Sequence, residues 1–153
     1  MFGLIKTQPR RKGSLFIGFL IPKELLKIYC ILKKKYTIQK TPFVVPTTDG
    51  KLIEEHFGGA TNGNTQVSIA HMVAPPNWSE PFQTPEFEEY TYIIKGKKQF
   101  IIDGEILVLN AGESIKLEKN TRVQYSNPFK ESCEYMSVCT PAFSFDLVHR
   151  EEE

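Results

Sequence analysis

The stretch Glu89-Tyr90-Thr91-Tyr92-Ile93-Ile94-Lys95-Gly96 is rich in aromatic and β-branched residues and stops at a glycine. That composition suits a half-buried strand. Side chains alternate along a strand, so an inward Glu89 takes Thr91 and Ile93 with it. Downstream, Gln99 to Ile102 runs into Asp103-Gly104, a two-residue hairpin signal answered by Ile106-Leu107-Val108-Leu109. Asn110-Ala111-Gly112 turns the chain again, and Ser114 to Leu117, Val123 to Tyr125 and Tyr135 to Cys139 supply further strands. Upstream, Phe43-Val44-Val45-Pro46 reads as a short edge segment, and Thr48-Asp49-Gly50 as a turn into Lys51 to Glu55. Gly58 to Asn64 reads as a loop, and Gln66 to Ala74 as a strand closed by Pro75-Pro76. Short strands at near-even spacing predict an all-β fold, a small sandwich or barrel, over residues 41–153.

The bulk properties agree with one such domain. A chain of 153 residues buries about 70% of its unfolded surface. Charge is unevenly placed under a net value of +1. Residues 1–40 hold ten Lys/Arg against Glu24, whereas residues 41–153 hold nine basic and seventeen acidic residues. The asymmetry marks a boundary near residue 40. An acidic main domain argues against nucleic acid as a partner, because phosphate binding needs clustered positive charge. Cys30, Cys133 and Cys139 form no CxxC or metal-type spacing and read as structural thiols of a reducing, cytoplasmic compartment. Asn77-Trp78-Ser79 spells a glycosylation sequon without a convincing secretory context.

Residues 1–40 form a basic N-terminal extension. Arg10-Arg11-Lys12 followed by Leu15 to Ile21 imitates the start of a signal peptide, but Pro22-Lys23-Glu24 follows with no small-residue cleavage site. The charges at Lys23, Glu24 and Lys27 exclude a stable membrane span of about 20 apolar residues. Pro22 to Tyr36 reads as a short basic helix.

Residues 42–150 resemble the cupin superfamily, small jelly-roll β-barrels. Glu89, six residues and Gly96 fit the second half of the first cupin motif, and Asp103-Gly104-Glu105 fits the turn between motifs. Gly112, Glu118-Lys119-Asn120, Val123 and Asn127 fit the frame of the second motif. Pro141-Ala142-Phe143 continues like the final strand of many single-barrel members. A looser likeness to cupins of the ethanolamine-utilization type rests on the acidic residue before the Tyr-rich strand and on that same run.

The resemblance implies a metal held by three histidines and a glutamate, a donor set suited to Fe, Mn, Ni or Zn. This chain keeps only Glu89. The first two histidine positions fall on Phe82 and Thr84, or on Gln83 and Pro85, and the third is Val123. No metal and no cofactor are therefore expected. The alternative is an atypical divalent site built from Gln83 and Glu89, with Glu86, Glu88 and His71 nearby. The expected barrel lining is an apolar pocket for a small organic ligand, bounded by Phe82, Gln83, Thr84, Thr91, Val123 and His71. Tyr125 and Asn127 share the face of Val123, and Phe100 and Ile102 close the bottom. Glu89 is the candidate acid or base, with Tyr125 as its proton-donating partner. An isomerase, an epimerase or a hydrolase would use such a pair, and a non-catalytic binding or regulatory module would keep the same pocket. Trp78, Phe87, Tyr90 and Tyr92 are candidates for the apolar centre of a homodimer.

Overall fold

In the computed structural model, residues 22, 23 and 35–152 are described. The body of the expected helix Pro22 to Tyr36 lies outside the described residues, as does Cys30.

Asp103-Gly104 turns β6 (Lys97–Ile102) into β7 (Glu105–Asn110). Both turn residues have positive φ, 49° and 85°, the combination that matches the right-handed twist of a tight hairpin. Ile102 pairs with Glu105 and the register holds to Lys97 opposite Asn110. Around this hairpin the chain forms two antiparallel sheets. The larger runs β1 (Phe43–Val44), β2 (Leu52–Phe57), β3 (Ser68–Ala74), β10 (Cys133–Thr140), β5 (Glu88–Lys95) and β8 (Ser114–Leu117), in that spatial order. The smaller runs β4 (Trp78–Ser79), β9 (Val123–Asn127), β6 and β7. Neighbours that are distant in sequence, such as β3 and β10, mark the crossovers of a jelly roll.

The core lies between the sheets. Ala74, Ile93 and Tyr135 of the larger sheet meet Trp78, Phe100, Val123 and Tyr125 of the smaller, all buried. Alternation sets these faces: on β5, Glu89, Thr91 and Ile93 are buried while Tyr90, Tyr92 and Ile94 are exposed.

Two motif residues have structural reasons for being there. Gly96 has φ +77°, and a Cβ placed on it would stand 2.5 Å from the Ser132 carbonyl oxygen, so only glycine fits the bend. Asn127 has a fully buried side chain. Its Nδ2 donates to the carbonyls of Ala74, Pro75 and Glu131 at 3.2, 2.9 and 2.8 Å, which ties the ends of β3, β9 and β10 together.

Several expectations change. Gly58 to Asn64 contains one helical turn, α1 (Gly59–Asn62). Pro141-Ala142-Phe143 follows the last strand instead of forming it, because β10 ends at Thr140 and the chain then makes α2 (Phe145–Val148). Trp78 and Phe87 are 4% and 2% exposed, so neither is available to a partner. Each points into the apolar interior that its ring helps to fill. Cys133 and Cys139 are free, buried thiols. No helix among the described residues is long and apolar enough to cross a membrane.

Candidate functional site

Glu89 sits on the inner face of β5 with its carboxylate surrounded by hydroxyls. Tyr125 on β9 donates to Oε2 at 2.6 Å. Ser137 on β10 and Thr91 on β5 donate to Oε1 at 2.6 and 3.2 Å. All four residues are at least 90% buried. Three hydroxyl donors thus converge on one carboxylate, whose oxygens accept all of them. Burial first, and the Glu89 charge second, push the Tyr125 hydroxyl well above its ordinary pKa. Tyr125 therefore stays a phenol and keeps donating.

Beside Glu89 opens a cavity of about 310 Å³. Ile53, Met72, Phe87 and Phe143 give it apolar walls, and Gln83, Glu89, Lys98, Tyr125 and Tyr135 also line it. Asp49, Lys51, Glu80 and Arg150 stand along the same wall. Glu80 accepts from Arg150 at 3.2 Å and pairs with Lys51 at 3.7 Å. Arg150 also donates to Gln83 at 3.3 Å. Asp49 accepts from the Trp78 indole at 2.6 Å. The segment that carries Arg150 runs antiparallel to Phe82–Glu86, through Thr84 N–H to the His149 carbonyl and Glu151 N–H to the Phe82 carbonyl.

The most unusual group is Lys98. It is 2% exposed on the inner face of β6. Its Nζ lies 3.6 Å from the ring centroid of Tyr135 and 4.6 Å from that of Tyr125. Among the described residues it makes no hydrogen bond and no ion pair. Burial lowers its pKa to about 8, against the opposing pull of Glu89. Tyr135, which it faces, has a buried hydroxyl with no partner. The sequence does hold the signal for Lys98: if Phe100 and Ile102 face inward, the residue two positions before Phe100 shares their face.

The expected site residues separate into groups. Gln83, Glu89 and Tyr125 line the cavity. Thr91 is buried behind Glu89, and Val123 is core. Phe82 does not reach the cavity; its ring lies under the Arg122 guanidinium, 3.7 Å from it. Thr84 is engaged by the His149 strand. Both point away because Gln83 between them points in. His71 also lies off the cavity, because Ala70 and Met72 occupy the inner face of β3 and period-two alternation turns His71 outward. There its Nδ1 meets Glu54 and its Nε2 meets Glu134, each at 2.9 Å.

A cupin-type metal does not fit these residues. The inward pair at the first-motif histidine positions is Gln83 and Pro85, both buried, and proline has no side-chain ligand to give. Val123 is 1% exposed where the third histidine would stand. Glu89 is occupied by its three hydroxyl donors. Glu86 and Glu88 turn outward to His149 and Lys116, and His71 is on the opposite face. Among the described residues no group of three or more His, Cys, Asp or Glu is arranged to hold a metal ion.

Comparison with known proteins gives the same frame. Residues 70–139 match the family model described as "Cupin domain". A protein of Myxococcus xanthus named endoribonuclease YbeY is 42% identical over 108 residues, which cover 71% of this chain and only 37% of that protein. The Clostridium difficile EutQ structure is 23% identical, with a TM-score of 0.52 over 60% of this chain and 63% of its own. The polyketide cyclase RemF of Streptomyces resistomycificus is 14% identical, with a TM-score of 0.62 over 79% of this chain and 87% of its own. At those identities the two structures speak for the fold alone. The domain match, together with a barrel whose motif glycine and asparagine are fixed by close backbone contacts, identifies a cupin domain in this chain.

Proposed function

We propose that the barrel binds a small organic molecule directly, without a bridging metal. The observation that carries this reading is the cavity of about 310 Å³ whose wall holds Glu89 under three hydroxyl donors. The volume is at the lower end of ligand pockets, and apolar walls with a few convergent polar groups suit an organic ligand. The misfit of Pro85 and Val123 to metal ligation supports direct contact.

The 2.6 Å bond between Tyr125 and Glu89 favours a second, catalytic use of the same cavity. Glu89 would accept a substrate proton, with Tyr125 and Ser137 holding the carboxylate in position. Isomerisation, epimerisation or hydrolysis is compatible with that chemistry. Native mass spectrometry of the purified protein tests the binding reading: a co-purified small molecule is expected. Glu89→Gln then divides the two uses, since bound ligand without turnover marks acid–base catalysis. Near-stoichiometric Fe, Mn, Ni or Zn that is lost with Glu89→Gln would overturn the metal-free reading.

Nucleic acid is not proposed as a partner. Residues 41–153 hold nine basic against seventeen acidic residues, and the ribonuclease name belongs to a protein of which the match covers 37%. We further propose a cytoplasmic protein, from its free buried thiols, and a homodimer through the exposed Tyr90, Tyr92 and Ile94 on the outer face of β5.

A further inference from the structure

We propose that Lys98 Nζ and Tyr135 Oη together receive the carboxylate of a small organic acid in the barrel cavity. This rests on the reading of the cavity as a ligand site and names the chemical class of its ligand.

Four carboxylates line the cavity: Asp49, Glu55, Glu80 and Glu89. Each already has donors within the protein: the Trp78 indole for Asp49, the Thr61 N–H for Glu55, Arg150 and Lys51 for Glu80, and three hydroxyls for Glu89. Two of the three cations on the wall, Lys51 and Arg150, share Glu80. Lys98 is the third, and among the described residues it makes no ion pair and no hydrogen bond. A buried ammonium without an acceptor is expensive, and proteins normally pair it. The rings of Tyr135, Tyr125 and Phe100 at 3.6, 4.6 and 5.2 Å soften that cost. They leave its N–H donors unused.

Tyr135 independently points the same way. Its hydroxyl is a wholly buried side-chain polar atom with no partner among the described residues, on a residue with no exposed surface. Natural proteins leave few such groups unsatisfied. The two residues that carry these unused donors, one of them cationic, both line one cavity. Their complement is an anionic acceptor with two oxygens. The adjoining walls from Ile53, Met72, Phe87 and Phe143 are apolar, so the carboxylate should carry a short hydrocarbon or aryl group. Lys98 has a pKa near 8, lowered by burial and by Lys51 and supported by Glu89, Glu80 and Cys133. It is therefore mostly protonated at neutral pH, as the pairing requires.

Isothermal titration calorimetry at pH 7 tests this with benzoate, hexanoate and the uncharged benzyl alcohol on wild-type protein, Lys98→Met and Tyr135→Phe. At least one acid should bind wild type more tightly than benzyl alcohol, and Lys98→Met should weaken it at least tenfold while leaving benzyl alcohol unchanged. Tyr135→Phe should weaken the acid several-fold, and its affinity in wild type should fall above pH 8 but not in Lys98→Met. Equal binding of acid and alcohol, untouched by Lys98→Met, would overturn the carboxylate assignment and leave the cavity reading standing. Failure of all three probes to bind would overturn both.

Discussion

The Lys98 ammonium stands 3.6 Å from the centre of the Tyr135 ring, so the barrel's buried cation rests on the face of a residue whose own hydroxyl has no partner. Both groups are held in a state that the fold alone does not favour. Their replacement should therefore separate stability from ligand binding.

Lys98→Met should stabilise the protein at neutral pH. The fall of its pKa from 10.5 to about 8 corresponds to roughly 3 kcal/mol of burial penalty, partly offset by cation–π attraction of about 1–2 kcal/mol. The expected net gain is about 1–2 kcal/mol by urea denaturation at pH 7. Because the folded pKa lies below the unfolded one, the unfolded chain binds more protons between pH 8 and 10.5. Wild-type stability should gain from Lys98 through that window, and the variant should lack this gain. A destabilised variant would contradict the account.

Glu89→Gln should be destabilising, by about 1–3 kcal/mol, because three buried hydroxyls lose a charged acceptor. It should also lower the Lys98 pKa further, since Glu89 is the principal group supporting it. Titration of the lysine side-chain carbon by NMR reads that second effect directly. An unchanged Lys98 pKa would mean that the two charges do not sense each other.

His71 offers a surface test with the opposite sign. Burial opposes its protonation, but hydrogen bonds donated to Glu134 and Glu54 win and raise its pKa. Its stabilising contribution is complete below the unfolded value of about 6.5 and fades as pH rises through the higher folded value. The pairs are partly exposed, so an effect of about 0.5–1 kcal/mol is expected. His71→Gln should remove it and flatten stability as pH rises above about 6.5, without altering ligand binding, because His71 faces away from the cavity.

The outer face of β5 exposes Tyr90, Tyr92 and Ile94 at 42, 49 and 41%. Sedimentation at micromolar concentration should give a dimeric mass, and Tyr92→Lys should give a monomer. A monomeric wild-type protein would remove this face from consideration.

The alternation along Glu89–Lys95, the Asp103-Gly104 turn and the glycine at 96 were enough, by themselves, to point to an all-β sandwich or barrel and to put Glu89, Thr91 and Ile93 on one face of a strand. These are local signals: strand period and turn conformation depend on the residues in sequence order. The same period, followed two residues back from Phe100, also leads to Lys98. Which side of β3 carries His71 follows less surely, because Gln66 to Ala74 is apolar enough on both faces to allow either phase. Only the tertiary structure decided the rest. It set Ser137 of β10 and Tyr125 of β9 on one carboxylate, although they lie 48 and 36 residues from Glu89. It placed the Arg150 segment beside Gln83, turned Trp78 and Phe87 inward, and left Lys98 and Tyr135 with donors unused. Those outcomes depend on which distant strands meet and on what remains unpaired between them, and strand pairing across a jelly roll is not encoded in any one stretch of the chain.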